Sequence, residues 1–289
     1  MPGQQFTSGS SFMPWSWPRN LTITPWPTWR EWGLFIMQAI LIVCIELSDD
    51  LVRGLIAPRP IGPALANAIR VMGFEQAHGF WLEPSTQRFF EQTHHLLGLT
   101  IGWAQVVPVA NGIYELGHGL ITCAFAVWLF WRRRTLFPLV RNVFLFTTAL
   151  AVLLYNIFPV APPRLAIGLR YAGHPYHFVD TVFDNGGINL SFDQYAAMPS
   201  LHIAWAVIVG LTLFWAARPL VIRLFGLAHP VIMSLSVIVT GNHFIADCLG
   251  ALGVVVIAWF LALLAAHKRF QRSWQIISFL RRRRVRHTA

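Results

Sequence analysis

The sequence predicts an all-α fold, a polytopic membrane helical bundle with about six transmembrane helices and additional amphipathic helices at the membrane interface. Hydrophobic residues make up 55% of the 289 residues, and the mean hydropathy is +0.54. Charged residues make up 12%, about half of the roughly 25% found in soluble domains. A helix needs about 17 to 25 apolar residues to cross a bilayer. Apolar runs that could form such helices cover residues 33–47, 113–131, 138–158, 201–217, 220–239 and 245–266.

One further apolar stretch leaves the number of spans open. Residues 96–110 are fewer than a full crossing needs and contain Pro108. They fit a short span, a re-entrant segment or an interfacial helix. Six spans place the amino terminus inside the cell, whereas a seventh would place it outside.

The chain divides into three parts. Residues 1–30 form an irregular arm rich in tryptophan and proline, residues 31–266 a single membrane domain, and residues 267–289 a basic tail. Tryptophan side chains favour the headgroup level of a membrane, and the arm lacks the apolar segment of a signal peptide.

The region from residue 49 to residue 92 carries too many charges to cross lipid. We expect it at the interface, as short helices broken by Pro58, Pro60, Pro63 and Pro84. The loop from residue 159 to residue 199 is a long polar connection. Long loops are often functional, and we expect a substrate lid there.

The net charge of +10 indicates a membrane orientation rather than nucleic-acid binding. Basic residues cluster at 132–134, at 218–223 and from 268 to 286, and the predicted spans bring all three clusters to one side. By the positive-inside rule that side is cytoplasmic, and the tail is suited to anionic headgroups. The three cysteines lie in apolar segments and give neither a disulfide framework nor metal-ligand spacing.

Two short motifs begin apolar runs on the opposite side of the membrane. In the first, Pro199-Ser200-Leu201-His202, Ser200 is a natural helix cap. A helix start binds anions, and His202 in the first turn can act as a general acid towards a leaving oxygen. Taken alone, the motif is also explained by a cap and a histidine at the headgroup level.

The second motif places His243 and Asp247 four residues apart, on one helix face. A carboxylate there can hold the imidazole in one tautomer, so that its other nitrogen can attack phosphorus. A structural pair that pins two helices is the alternative. Since both motifs begin spans on the same side of the membrane, they can meet in space.

Four further residues are candidates for binding the substrate. Arg164, in a proline-rich element, offers a fork of donors that suits phosphate. The others are Ser200, Asn242 and Tyr155. Asn111, Tyr114 and His118 share a helix face, for which structural hydrogen bonding is the favoured interpretation.

These motifs resemble the signatures of the type 2 phosphatidic acid phosphatase superfamily, K-x-x-x-x-x-x-R-P, P-S-G-H and S-R-x-x-x-x-x-H-x-x-x-D. Pro199, Ser200 and His202 match the second signature, with Leu201 in place of Gly. In the third, Ser236, His243 and Asp247 match, with Val237 in place of Arg. The first signature has no counterpart, since Lys268 is the only lysine.

The element Pro162-Pro163-Arg164 before a segment ending in Pro199-Ser200-Leu201-His202 looks like the inositol phosphorylceramide synthase branch and its bacterial relatives. The resemblance covers roughly residues 110–266, and more loosely the stretch with Glu75 and Glu83. It implies that His243 becomes phosphorylated, that His202 protonates the leaving group and that Asp247 orients the nucleophile.

We therefore expect an integral membrane lipid phosphotransferase that moves a phosphorylated, inositol-phosphate-like headgroup through a phosphohistidine at the extracytoplasmic face. The loss of two cationic phosphate ligands favours transfer over simple hydrolysis. A lipid phosphate or polyprenyl diphosphate phosphatase is the alternative, and a non-enzymatic lipid transporter or scaffold is a rival of another class. We expect no metal or other cofactor.

The expected partners are a phospholipid or lipid-linked phosphate and the bilayer, without nucleic acid. The resemblance to bacterial relatives implies a bacterial plasma membrane.

Overall fold

The computed structural model describes residues 26–40, 61–96, 99–166, 170–171, 174–175 and 196–286. Most of these residues are helical, and the predicted all-α membrane fold is confirmed. The helices are α1 (described over residues 29–40), α2 (Ile61–Ala77), α3 (Glu83–Glu91), α4 (Trp103–Gly112), α5 (His118–Arg132), α6 (Phe137–Ile157), α7 (Leu201–Ala216), α8 (Leu220–Val239) and α9 (Ile245–Arg286). Two short antiparallel hairpins pair β1 (His94–Leu96) with β2 (Leu99–Ile101), and β3 (Arg170–Tyr171) with β4 (His174–Pro175).

Three of the described helices are long and apolar enough to cross a membrane, namely α6, α8 and the Ile245–His267 part of α9. The apolar helix α7 is shorter, with 16 residues. Helix α5 follows α4 through a π-helical turn, Ile113–Gly117. Part of the run from 33 to 47 lies outside the described residues, so six spans stay a prediction.

The stretch from 96 to 110 is not one helix. It begins in the β1–β2 hairpin and continues as α4, which contains Pro108. Since α4 leads through the π turn into α5, the apolar run that begins at residue 113 starts inside a longer helical segment.

Prolines begin the two interfacial helices instead of breaking them. Pro63 lies in the first turn of α2, and Pro84 is at the first or second position of α3. A helix start tolerates proline because the missing N–H has no partner there in any case. The expectation that Pro63 and Pro84 break helices is therefore wrong. Pro58 and Pro60, and most of the loop predicted as a lid, lie outside the described residues.

Helix α7 is the centre of the bundle, because α6, α8 and α9 surround it and its buried residues lie on all of its faces. A helix that is apolar all round is expected in such a position. Glycines let α7 and α8 approach closely, since a Cβ added at Gly210 would lie 2.3 Å from the carbonyl oxygen of Gly226.

Two of the basic clusters, residues 132–134 and 218–223, lie at one end of this bundle. Arg133, after α5, donates from Nε to the Ala216 carbonyl at the end of α7 (2.8 Å), and Arg223 of α8 donates to the Phe214 carbonyl (2.9 Å). Arg134 pairs with Glu31 at 2.5 Å, which brings the start of α1 to the same end. The two histidine motifs lie at the starts of α7 and α9, at the end of the bundle away from these arginines.

Candidate active site

The first motif forms the turn that leads into α7. The side chain of Ser200 caps the helix by accepting a hydrogen bond from the backbone N–H of Ile203 (3.4 Å). The hydroxyl of Tyr155 donates to the Pro199 carbonyl at 2.7 Å. The side chains of Ser200 and Tyr155 therefore hold the backbone that carries His202, which lies in the first turn of α7.

The second motif follows a tight turn between α8 and α9. Gly241 adopts a φ of 67°, a conformation that glycine reaches without strain. The N–H of Gly241 donates to the Ile238 carbonyl (3.0 Å), and that of Asn242 donates to Val237 (2.9 Å). These bonds satisfy carbonyls at the end of α8, as in a glycine-terminated helix. The turn places His243 just before α9.

His243 is oriented by a backbone carbonyl as well as by Asp247. Its Nδ1 lies 2.8 Å from the Ala197 carbonyl oxygen and 3.3 Å from Oδ2 of Asp247. Because a carbonyl only accepts, Nδ1 carries the proton and Nε2 presents its lone pair. Asp247 is completely buried, and its Oδ2 also accepts from the Phe244 N–H at 2.8 Å. Ala197 carries no side-chain signal that a sequence motif could reveal.

The two histidines face one site. The rings of His202 and His243 are 6.2 Å apart, measured between centroids. Tyr114 stacks on His202 at 4.2 Å, and the ring of His118 lies 4.6 Å from it. The sequence favours a structural interpretation for Tyr114 and His118, and the structure places both rings against His202, the predicted general acid. Their spacing on one helix face was the signal for this contact.

Arg164 reaches the same turn through Asn242. Its Nε donates to Oδ1 of Asn242 at 2.9 Å, and its backbone N–H donates to the Gly241 carbonyl at 2.9 Å. Asn242 in turn donates to the hydroxyl of Thr240 at 2.8 Å. In this arrangement Asn242 fixes the guanidinium at the turn that carries His243.

The start of α9 is occupied by acidic side chains that sequence reasoning did not assign to the site. The N–H groups of Ile245 and Ala246 donate to Glu83 (2.7 Å) and Glu75 (2.6 Å). Among the helix starts at this end of the bundle, α7 is therefore better suited than α9 to receive an anion. The described residues contain no group of three or more side chains arranged to hold a metal ion.

Comparisons with known proteins assign the family. No curated protein sequence matches the chain. A solved structure, that of LpxE from Aquifex aeolicus, is similar with a TM-score of 0.42 and 17% identity, over 62% of this chain and 93% of that one. Residues 69–261 match the family model described as PAP2 superfamily, a range that holds both histidine motifs and Arg164. The chain therefore belongs to the PAP2 superfamily and is a membrane enzyme of the lipid phosphatase and phosphotransferase type.

Proposed function

We propose that the protein is a lipid phosphotransferase that moves a phosphorylated headgroup from a phospholipid to an alcohol, through a phosphohistidine at His243. One observation carries the proposal. Nδ1 of His243, the proposed nucleophile, is hydrogen bonded to the Ala197 carbonyl and to Asp247, and the ring centroids of His243 and His202 are 6.2 Å apart.

The two histidines have separate parts in the reaction. Nε2 of His243 attacks phosphorus, and the bond from phosphorus to the lipid oxygen breaks as His202 gives a proton to that oxygen. An acceptor hydroxyl then attacks phosphorus and returns a proton to His202, and the P–N bond breaks. Asp247 stabilises the positive charge on His243 in the intermediate.

A phosphodiester donor fits the charges of this site better than a phosphomonoester. Val237, which stands where the family signature has an arginine, is completely buried in the apolar core. A phosphodiester has one negative charge, whereas a monoester approaches two, so a diester needs fewer cations around its oxygens. Headgroup transfer starts from a diester, and simple phosphate release starts from a monoester. Inositol phosphate is the headgroup that the resemblance favours.

An apolar cavity beside His202 supports a lipid leaving group. It has a volume of about 330 Å³, and its lining includes His118 and Trp205 together with Phe125, Ala126 and Phe144. The ring of His118 lies 4.6 Å from that of His202 and 5.3 Å from that of Trp205, so the cavity begins one side chain away from the proposed general acid. A hydrocarbon chain attached to the leaving oxygen would enter it.

The proposed site faces the extracytoplasmic side of the membrane. The arginines at the turns after α5 and α7 lie at the other end of the bundle, and basic ends are cytoplasmic by the positive-inside rule. The pair of Arg134 and Glu31 brings the start of α1 to that basic end, which supports a cytoplasmic location for the amino-terminal side of α1.

The test incubates the purified protein in detergent with labelled phosphatidylinositol, phosphatidic acid and a polyprenyl diphosphate, with and without ceramide or diacylglycerol as acceptor. We expect turnover of the diester, with the intact headgroup phosphate on the acceptor. His243→Gln should abolish turnover, while His95→Gln, a change at an exposed histidine of β1, should not. Turnover of phosphatidic acid or the diphosphate to inorganic phosphate, without use of the diester, would instead identify a phosphatase.

A further inference from the structure

Glu75 and Glu83 are completely buried acids to which the proposed reaction assigns no step. Each has an exposed fraction of 0%. Burial of a charged carboxylate is costly unless hydrogen bonds or a partner compensate for it. These two side chains come from different interfacial helices, α2 and α3, and both reach the start of α9.

Three consecutive N–H groups at that start bind three carboxyl groups. Phe244 donates to Asp247 (2.8 Å), Ile245 to Glu83 (2.7 Å) and Ala246 to Glu75 (2.6 Å). The partial positive charge of a helix start stabilises acidic groups there. Because Glu75 and Glu83 lie outside α9, their bonds fix the position of α9 relative to α2 and α3.

The two glutamates are neighbours, because they accept hydrogen bonds from adjacent N–H groups of the chain. Oε2 of each is buried and has no hydrogen-bond partner among the described residues. Burial, and then the charge of Glu83, raise the pKa of Glu75 to about 9. Burial also raises the pKa of Glu83, against the lowering effect of its bond from Ile245. One proton between two such carboxyl groups relieves their repulsion.

We propose that Glu75 and Glu83 are positioning residues: an acid pair that shares one proton and holds the first turn of α9, so that His243 and Asp247 keep their reactive arrangement. This inference rests on the proposed role of His243. It adds a second support for the nucleophile, provided by the interfacial helices instead of the membrane bundle.

The position of His243 explains why this support matters. His243 immediately precedes the three bonded N–H groups, and its Nδ1 must meet the Ala197 carbonyl at 2.8 Å. Asp247, which lies in the first turn of α9, is 3.3 Å from the same nitrogen. A shift of α9 by about 1 Å would lengthen both bonds, and misplacement of this size can cost about 100-fold in rate.

Glutamine variants distinguish two glutamates that share one proton from two glutamates that bond to α9 independently. Glu75→Gln keeps an acceptor for the Ala246 N–H and gives Glu83 an amide donor in place of the proton. The double variant Glu75→Gln/Glu83→Gln places two amide donors face to face. We expect kcat within about threefold of wild type for Glu75→Gln, and a fall of at least about tenfold for the double variant with KM little changed.

Alanine at position 75 removes the hydrogen bond from the Ala246 N–H, which glutamine keeps. Glu75→Ala leaves the Ala246 N–H buried without its acceptor, so kcat should fall at least about tenfold, and glutamine should restore it. Glu31→Gln, at the basic end of the bundle, is the control for charge removal.

The acid pair also predicts a pH dependence. The titratable groups near Glu75 are Glu83 of α3 and Asp247 and Cys248 of α9. Folding raises the pKa of Glu75 from 4.5 to about 9, so the folded protein keeps a proton that the unfolded chain loses. Stability should therefore decrease as the pH rises from about 5 to about 9. Above about pH 9 the pair loses its proton and the two carboxylates repel each other, so kcat should decline as well. Glu75→Gln should flatten the stability slope and remove this alkaline decline in kcat.

Additive losses in the cycle formed by Glu75→Gln, Glu83→Gln and the double variant, or an alkaline decline unchanged by Glu75→Gln, would overturn the shared proton. Loss of thermal stability in Glu75→Ala with unchanged kcat would overturn the positioning role and leave a structural one. If wild type forms no phosphohistidine but the glutamine cycle is still non-additive, the proposed reaction has failed while the acid pair stands.

Discussion

Replacement of Asp247 by asparagine tests how much this carboxylate contributes to the reaction. Asparagine has nearly the same shape and can still accept from the Phe244 N–H through its oxygen. It removes the negative charge that lies 3.3 Å from Nδ1 of His243. The change therefore affects the charge-assisted interaction with the imidazolium and leaves the backbone bond in place.

The structure sets the size of the expected loss. Hydrogen bonds to charged groups contribute about 1.5 to 3 kcal/mol, which corresponds to a decrease in kcat of about 10- to 150-fold. In serine proteases the equivalent change costs about 10⁴-fold because the histidine adopts the wrong tautomer. Here the Ala197 carbonyl, at 2.8 Å, keeps the proton on Nδ1, so the loss should stay well below that value.

The measurement is the initial rate of headgroup transfer by Asp247→Asn and wild type at matched amounts of folded protein, with Glu31→Gln as the control. A rate within twofold of wild type would show that Asp247 does not stabilise charge on His243. A loss near 10⁴-fold would show that Asp247 alone sets the tautomer and that the Ala197 bond does not.

Three further predictions, two of them with a matched control variant, test the scaffold around the site. Gly241→Ala and Gly79→Ala should each cost about 1 to 2 kcal/mol of stability because of their positive φ. Only Gly241→Ala should reduce activity, since its Cβ would lie 3.4 Å from the Cβ of Arg164, the proposed phosphate ligand; equal activities would contradict this. Gly210→Ala should lower the melting temperature in detergent far more than Gly253→Ala, because a Cβ at Gly253 meets nothing within 4 Å, and equal shifts would disprove close α7–α8 packing. Tyr155→Phe leaves a buried carbonyl unpaired and should cost about 1 to 3 kcal/mol in thermal unfolding; no loss would mean that the hydroxyl does not hold the motif.

The elements that could be predicted from the sequence depend on local patterns. Apolar runs indicate helices, and α6, α8 and the Ile245–His267 part of α9 follow them closely, although α9 itself continues to Arg286. The sequence predicts the cap at Ser200 because a capping side chain bonds within its own turn, as it does here. The spacing of His243 and Asp247 likewise encodes their contact, because residues four apart share a helix face.

The missed features depend on contacts between distant segments. The carbonyl of Ala197 is a backbone group that any residue would supply, so no motif marks it. Glu75 and Glu83 lie in a charged interfacial region, where solvated carboxylates are expected, and only the packing of α2 and α3 on α9 reveals their burial. Pro63 and Pro84 begin helices because of their position in the first turn, which composition alone does not give.

The most direct test of the central claim is to trap the covalent intermediate. The protein is mixed with phosphatidylinositol carrying ³²P, quenched in alkali within one turnover, and its peptides are analysed by mass spectrometry. We predict an acid-labile, alkali-stable adduct of inositol phosphate on the peptide that contains His243, which is absent in His243→Gln and accumulates when no acceptor is present. Turnover without label on that peptide, or label retained in His243→Gln, would contradict the account.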